Sequence, residues 1–150
     1  PRIARIYRGE FVIKAEDITV ADIRLLLVGR QFLLSDGAWL ILGRNEKENR
    51  KIEALADGGD TLLYMIQRPG PTALLRTARE QGVARTPSDE ELEQAASLVV
   101  RYGKKVKEEE AGVEVVTVRS GEQRIVVVPP LSADQLGSAE RFLLENAPKQ

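Results

Sequence analysis

A chain of 150 residues suits one domain with its own hydrophobic core and is short for two. It holds no cysteine and no histidine, which removes disulfides, thiolate nucleophiles, Cys- or His-ligated metals and the Ser-His-Asp arrangement of many hydrolases. Its 22 Lys and Arg nearly cancel 23 Asp and Glu, for a formal net charge of -1, so any nucleic acid would be met by a local basic patch and not by a globally basic surface.

No apolar run approaches the roughly 18 residues of a membrane span, and no secretory signal opens the sequence. No membrane partner is expected, and the cytoplasm is the expected location. The start at Pro1 is read as a removed initiator Met or as a piece of a longer chain. Residues 1–16 read as a lead-in or linker, within which "RIARIYRGEFVIK" is a weak strand or irregular. Residues 17–150 read as a single domain. Thr19 with Asp22 three residues later is a short capping-box variant. It opens a helix whose apolar face is Ile23, Leu26 and Leu27, with Gly29 as the stop. "RQFLLSDGAWLILG" reads as a hairpin, its apolar arms joined by Ser35-Asp36-Gly37. A helix over 45–56 ends at "DGGD", and "TLLYMIQ" is a strand stopped by "RPGPT". "ALLR" is a further strand, followed by a polar, arginine-bearing loop over 77–87.

Ser88 and Glu91 form a capping box for a helix that shows Leu92, Ala95, Ala96, Val99 and Tyr102 on one face and ends at Gly103. "VEVVTVRSGEQRIVVV" reads as a second hairpin. Ser132 and Gln135 form a last capping box, with Leu131 and Leu136 placed as a hydrophobic staple. Helices and hairpins alternate without the spacing of βαβ units. The expected class is therefore α+β: two antiparallel hairpins and further short strands packed with about four helices.

The stretch "GRNEKENRKIEALADGGD" carries the main functional question. Asn45 is a good N-cap and Glu48 sits at N3 to complete a box. At about 100° per residue, Asn45, Asn49, Ile52 and Ala56 fall toward the core, which makes the two asparagines architectural. Arg44, Lys47 and Lys51 cluster on a different face with Arg50 beside them, and Glu46 and Glu53 share a third sector. The basic face lies by a helix N-terminus, where unsatisfied N–H groups favour an anion. Its alternative is a solvated face balanced by its glutamates.

Other segments carry a bland and a functional reading together. "RPGPT" is a rigid turn, or it presents Arg68 and Thr72 to a phosphate. Arg76, Arg79 and Arg85 punctuate an ordinary loop, or they form a phosphate-contacting element, for which the planar guanidinium is suited. "KKVKEEE" at 104–110 offsets its own charge and reads as a solvated connector. Trp39 reads as a core or sheet-face aromatic, with a stacking platform as its alternative. Aromatics make up only 5% of the chain, so contacts to an RNA should fall on phosphate and shape more than on a run of stacked bases.

"LILGRNEKENRKIEALADGGDTLLYMIQRPGPTALLR", followed by "EELEQAASLVVRYGKK", resembles the RNA-binding module of the NFACT family. The resemblance covers roughly residues 17–128. It rests on Gly43, Arg44, Asn45, Asn49, Gly59, Asp60, Pro69, Gly70, Ala95, Ala96 and Tyr102 in order. "DIRLLLVGRQF" is similar to the segment that joins such modules to PP-loop ATP pyrophosphatase domains in tRNA thiouridylase-like proteins. Two departures stand out. The family's ribosome-quality-control branch carries Asp-x-Trp-x-His where this chain has Asp60-Thr61-Leu62-Leu63-Tyr64, and the linker's Gly-Arg-His-Phe is here Gly29-Arg30-Gln31-Phe32. The PP-loop signature itself is absent from the chain.

The resemblance implies a non-catalytic RNA-binding module that needs no cofactor, with tRNA or ribosome-associated RNA as partner. It would form the C-terminal part of a tRNA sulfur-modification protein. The candidate RNA contacts are Arg30, Arg44, Lys47, Arg50, Lys51, Arg68, Arg76, Arg79 and Arg85. Gly43, Asn45, Asn49, Asp60, Pro69 and Gly70 are the structural motif. Two alternatives remain. One is a module that docks a PP-loop domain through the helix at 19–28 and the lead-in at 1–14. The other is a nuclease with a metal held by Asp36, Asp57 or Asp60.

Overall fold

The computed structural model describes residues 19–34, 37–104 and 112–130. The lead-in, Ser35 and Asp36 of the first turn, most of the 104–110 connector and the helix expected from Ser132 lie outside the described residues. In chain order the elements are α1 (Val20–Leu26), β1 (Arg30–Leu33), β2 (Trp39–Leu42), α2 (Glu46–Leu55), β3 (Thr61–Met65) and β4 (Ala73–Arg76). Then come β5 (Arg79–Glu80), β6 (Val83–Ala84), α3 (Asp89–Arg101), β7 (Val113–Arg119) and β8 (Glu122–Val128). The class is α+β, with three helices among the described residues.

Six strands form one antiparallel sheet in the order β1-β2-β4-β3-β7-β8. The period of two along each strand sorts the side chains into two layers. Leu40 and Leu42 of β2, Leu63 and Met65 of β3, and Ala73 and Leu75 of β4 meet Ala95, Ala96, Leu98 and Val99 of α3 on one face. Trp39, Ile41 and Leu74 point to the other face and meet Leu25 and Leu26 of α1 and Ile52 of α2. The neighbouring strands β2 and β4 are buried on both sides, which is why "WLIL" and "ALL" read as unbroken apolar runs. Each such side chain, fully buried, contributes roughly 1.5–3 kcal/mol.

All three helices start at the caps read from the sequence. The side chains of Thr19, Asn45 and Ser88 accept from the N–H groups of Asp22, Glu48 and Glu91, and the box is reciprocal in α1 and α3. Gly29 turns the chain from α1 into β1 at a φ of +66°, and a Cβ there would lie 2.1 Å from the Leu42 carbonyl oxygen. Two readings change. The loop over 77–87 contains the small β5–β6 hairpin, turned by Gln81 and Gly82 at φ 52° and 79°. Two-residue arms are too short to leave a periodic signal. In α1, Leu25, Leu26 and Asp22 face inward, while Ile23 and Leu27 are exposed. An acidic residue takes an inward position because its partner lies across the fold.

That partner is Arg76, the last residue of β4. The residue is only 2% exposed, and its guanidinium bonds both oxygens of Asp60, Nε to Oδ1 at 2.9 Å and Nη2 to Oδ2 at 2.7 Å, while Nη1 donates to Asp22. The guanidinium also lies 5.9 Å from the Trp39 ring centroid. Burial pulls the Arg76 pKa down, but the bonds and charge of Asp60, with Asp22 and Asp57, hold it above its ordinary value. Arg76 is therefore corrected from candidate RNA contact to core ion. Asp60 also accepts from the Asp57 N–H, so the "DGGD" turn is tied to the same cation.

Replacing Arg76 with Met leaves two buried carboxylates facing each other. Chemical unfolding should show a loss of about 3–5 kcal/mol. Arg79→Met breaks the solvent-exposed pair with Asp57 and a longer 3.8 Å contact with Asp60, which Arg76 still holds, and should cost about 1 kcal/mol or less. Equal losses in the two variants would show that the buried cluster does not carry this stability.

Candidate functional site

The site is built where β2 hands over to α2. Gly43 follows β2 and donates its N–H to Thr72 O at 3.0 Å. A Cβ at Gly43 would lie 2.0 Å from Asn49 Oδ1 and 3.0 Å from the Asn49 nitrogen, so only glycine lets α2 start this close. Asn49 Oδ1 accepts from the Thr72 N–H at 3.0 Å, and its Nδ2 reaches Gly70 O at 3.5 Å. Asn49 thus ties the Pro69-Gly70-Pro71 loop to α2, the architectural role read for it. The Lys104 N–H donates to Pro69 O at 3.2 Å, which brings the C-terminal end of α3 to the same loop.

These contacts enclose an open cleft of about 420 Å3 lined by Arg30, Arg44, Asn45, Asn49, Tyr102 and Lys104, with Glu46 and the proline-glycine loop at its rim. Arg30 opens β1, and its guanidinium carbon sits 4.6 Å from the centroid of the Tyr102 ring. Phe32, on the same face of β1, backs that ring at 6.1 Å between centroids. Three cations from three elements therefore converge beside the N-terminus of α2.

Glu48 sets the charge balance there. Its carboxylate accepts from the Arg44 N–H at 2.9 Å, from Arg44 Nε at 2.9 Å, from Arg44 Nη2 at 3.0 Å and from the Gly29 N–H at 3.0 Å. The Arg44 bonds outweigh the effect of burial and hold the Glu48 pKa at about 2. The capping box read for this helix is thus half formed. Asn45 caps Glu48, but Glu48 turns back to Gly29 and Arg44 and does not reach the Asn45 N–H.

The other candidate contacts separate. Lys47, Arg50 and Lys51 are exposed on α2 outside the cleft. Arg68 is half-buried and lines a different shallow hollow, of about 170 Å3, with Met65, Gln67 and Glu114. Arg79 pairs with Asp57, whose pKa burial raises but the Arg79 bond brings below its ordinary value. Arg85 grips the buried Glu91 at 2.7 and 2.9 Å, and that bond holds the Glu91 carboxyl below the usual range. Of the nine candidate contacts, only Arg30 and Arg44 share the cleft.

Lys104 and Tyr102 were not read as site residues, and their distance in sequence from Arg30 gave no local signal of the meeting. Arg119 was also missed. It reaches Gly59 O at 3.4 Å and Ala84 O at 3.5 Å, tying the "DGGD" turn to β6. The departure at Gln31 is structural. Its Nε2 caps the Leu25 and Val28 carbonyls at 2.7 and 2.6 Å, and its Oε1 accepts from Trp39 Nε1 at 2.6 Å. Trp39 is fully buried by this arrangement, the core position read for it.

A family model described as the NFACT protein RNA binding domain matches residues 29–139, a span that contains every element of the cleft. The chain belongs to this family. A solved structure of the C-terminal of the fibronectin/fibrinogen-binding protein from Streptococcus suis is similar to it at a TM-score of 0.61, with 20% identity. That likeness covers 92% of this chain and 58% of the other, so this NFACT domain spans little more than half of that chain, and at this identity the likeness is one of fold. A search of curated proteins finds no match.

The ionised Glu48 is held by the folded domain, so its contribution is complete above a pH of about 4.5 and disappears as the pH falls toward about 2. Glu48→Gln removes that contribution at every pH. Thermal unfolding of the two forms should show a gap at pH 7 that narrows from about pH 4.5 downward; a gap independent of pH would contradict the Arg44–Glu48 geometry.

Proposed function

We propose that this NFACT domain binds RNA without catalysing a reaction and meets tRNA through its backbone phosphates, as the C-terminal part of a thiouridylase-like tRNA sulfur-modification protein. The observation that carries the RNA reading is the cleft, where Arg30, Arg44 and Lys104 surround the start of α2 in a domain whose family binds RNA. Lys47, Arg50 and Lys51 extend the positive surface along the helix. A protein of near-zero net charge with such a local cluster recognises a phosphate backbone where the cluster is, with little contribution from the rest of its surface. The tRNA and the sulfur-modifying parent rest on the similarity of "DIRLLLVGRQF" to PP-loop-associated linkers.

A carboxylate–metal nuclease has less support, because Asp60 gives both oxygens to Arg76 and Asp57 is engaged by Arg79. Docking of a PP-loop domain keeps one specific observation. Val20, Ile23 and Leu27 are 66%, 43% and 68% exposed along α1, a row of apolar side chains turned away from the sheet. Pull-down of an isolated PP-loop domain, lost in an Ile23→Asp and Leu27→Asp double variant, would support that role.

The RNA reading is tested by titrating tRNA across a salt series. The logarithm of the affinity should fall linearly with the logarithm of salt concentration, by about 0.7–0.9 for each phosphate neutralised. Lys47→Gln and Lys104→Gln should each weaken binding and lower the slope by about 1. Binding that ignores salt, or that both variants leave unchanged, would remove this face from contact with RNA.

A further inference from the structure

We propose that the cleft between α2, the Pro69-Gly70-Pro71 loop and the end of α3 is a pocket for one unpaired nucleotide, its base laid on the Arg30 guanidinium and its phosphate held near Lys104 and the first turn of α2. This rests on the RNA-binding reading above and adds which part of an RNA the cleft takes.

Several arginines of the domain are held by carboxylates: Arg44 by Glu48 in the cleft, and Arg79 by Asp57 and Arg85 by Glu91 elsewhere. Among the described residues Arg30 lies instead on the face of Tyr102, at 4.6 Å. A carboxylate neutralises a guanidinium and takes up its edge. An aromatic ring fixes the plane of the guanidinium and leaves its charge in place. One flat side of Arg30 is therefore covered by Tyr102, which Phe32 backs in turn, and Arg30 and Tyr102 both line the cleft. Unpaired RNA bases stack on such guanidinium planes as they do on aromatic rings.

Size and composition limit the ligand further. A cleft of about 420 Å3 falls within the range of single small-molecule sites and does not accommodate a duplex. A base inside a helix already has its two faces covered, so the base that reaches Arg30 has to be unpaired. The cleft holds one aromatic platform, and with aromatics at 5% of the chain a continuous track of stacked bases has no counterpart here. The polar groups are placed for a nucleotide. Lys104 and the N-terminal turn of α2 suit a phosphate, while the carboxylate of Glu46, at the same rim, is an acceptor for the amino or imino hydrogens on a base edge. A site for bare phosphate would need neither the stacked platform nor that acceptor.

The experiment compares three ligands on the 150-residue chain: a blunt RNA hairpin, the same hairpin with a short single-stranded 3′ overhang, and a nucleoside monophosphate. The wild type should bind the overhang hairpin at least about fivefold more tightly than the blunt one, the low end of what stacking one base contributes. Arg30→Lys keeps the charge and loses the plane. It should bring that ratio close to one by weakening the overhang hairpin more than the blunt one. Tyr102→Leu should do the same, and the melting temperature shows whether this half-buried position still folds. The lysine variant decides the matter if it does not. A nucleoside monophosphate that competes as well as the overhang hairpin supports the pocket and makes free nucleotide its source. A wild-type ratio of one, or a ratio that survives Arg30→Lys, overturns the pocket and leaves phosphate-backbone binding standing. Failure to bind either hairpin overturns the RNA reading itself.

Discussion

The buried guanidinium of Arg76 is the constraint on which the surrounding structure depends. A cation this deep is tolerated only if its charge and its donors are met inside the protein. Asp60 meets it from the turn before β3, and Asp22 from the first turn of α1, 54 residues away in sequence. Two segments that share no sheet hydrogen bonds are thereby set against one point on β4. The inward turn of Asp22 rotates α1, so that Leu25 and Leu26 enter the core while Val20, Ile23 and Leu27 stay outside. The same cluster continues outward. Asp57 lies 3.7 Å from Arg76 and bonds Arg79, which fastens the β5–β6 hairpin over the end of the sheet.

The basic residues divide along this line. A charge balance near zero says nothing about where the charges are used, and in this fold many are used internally. Arg76 is a core ion, Arg85 holds the N-terminal carboxylate of α3, and Arg119 stitches a turn to a strand. Residues with the same chemistry thus serve either the fold or a ligand. What separates them is the partner each one meets, and that partner is fixed by tertiary contacts.

This also explains which features were legible in the sequence. The three helix starts were, because a cap and its N3 partner lie within one turn. Strands β2 and β4 were, because burial on both faces leaves a continuous apolar run. Asn49 was legible as architecture from helical periodicity, although its bond partners at Gly70 and Thr72 were not. Features that depend on distant partners were hidden. The inward face of α1 needed Arg76, and the incomplete cap of α2 needed Gly29, 19 residues before Glu48. Arg30, Tyr102 and Lys104 come from β1 and from the end of α3. Their convergence follows from the sheet order and from the Lys104–Pro69 bond, neither of which has a local signature.

The N-terminus of α2 shows why the cleft is more than a helix dipole. A helix start attracts any anion, and here the chain sets one of its own beside it. Glu48 takes the Arg44 and Gly29 N–H groups together with the Arg44 side chain, and at neutral pH its carboxylate is ionised. The charge of Arg44 is thereby met by an internal pair. The uncancelled cation lies across the cleft, where Arg30 rests on Tyr102 and not on an acid. A ligand that matches this asymmetry needs a flat polarisable group on the Arg30 side as well as negative charge toward Lys104. A bare phosphate satisfies only the second requirement, whereas a nucleotide with an exposed base satisfies both.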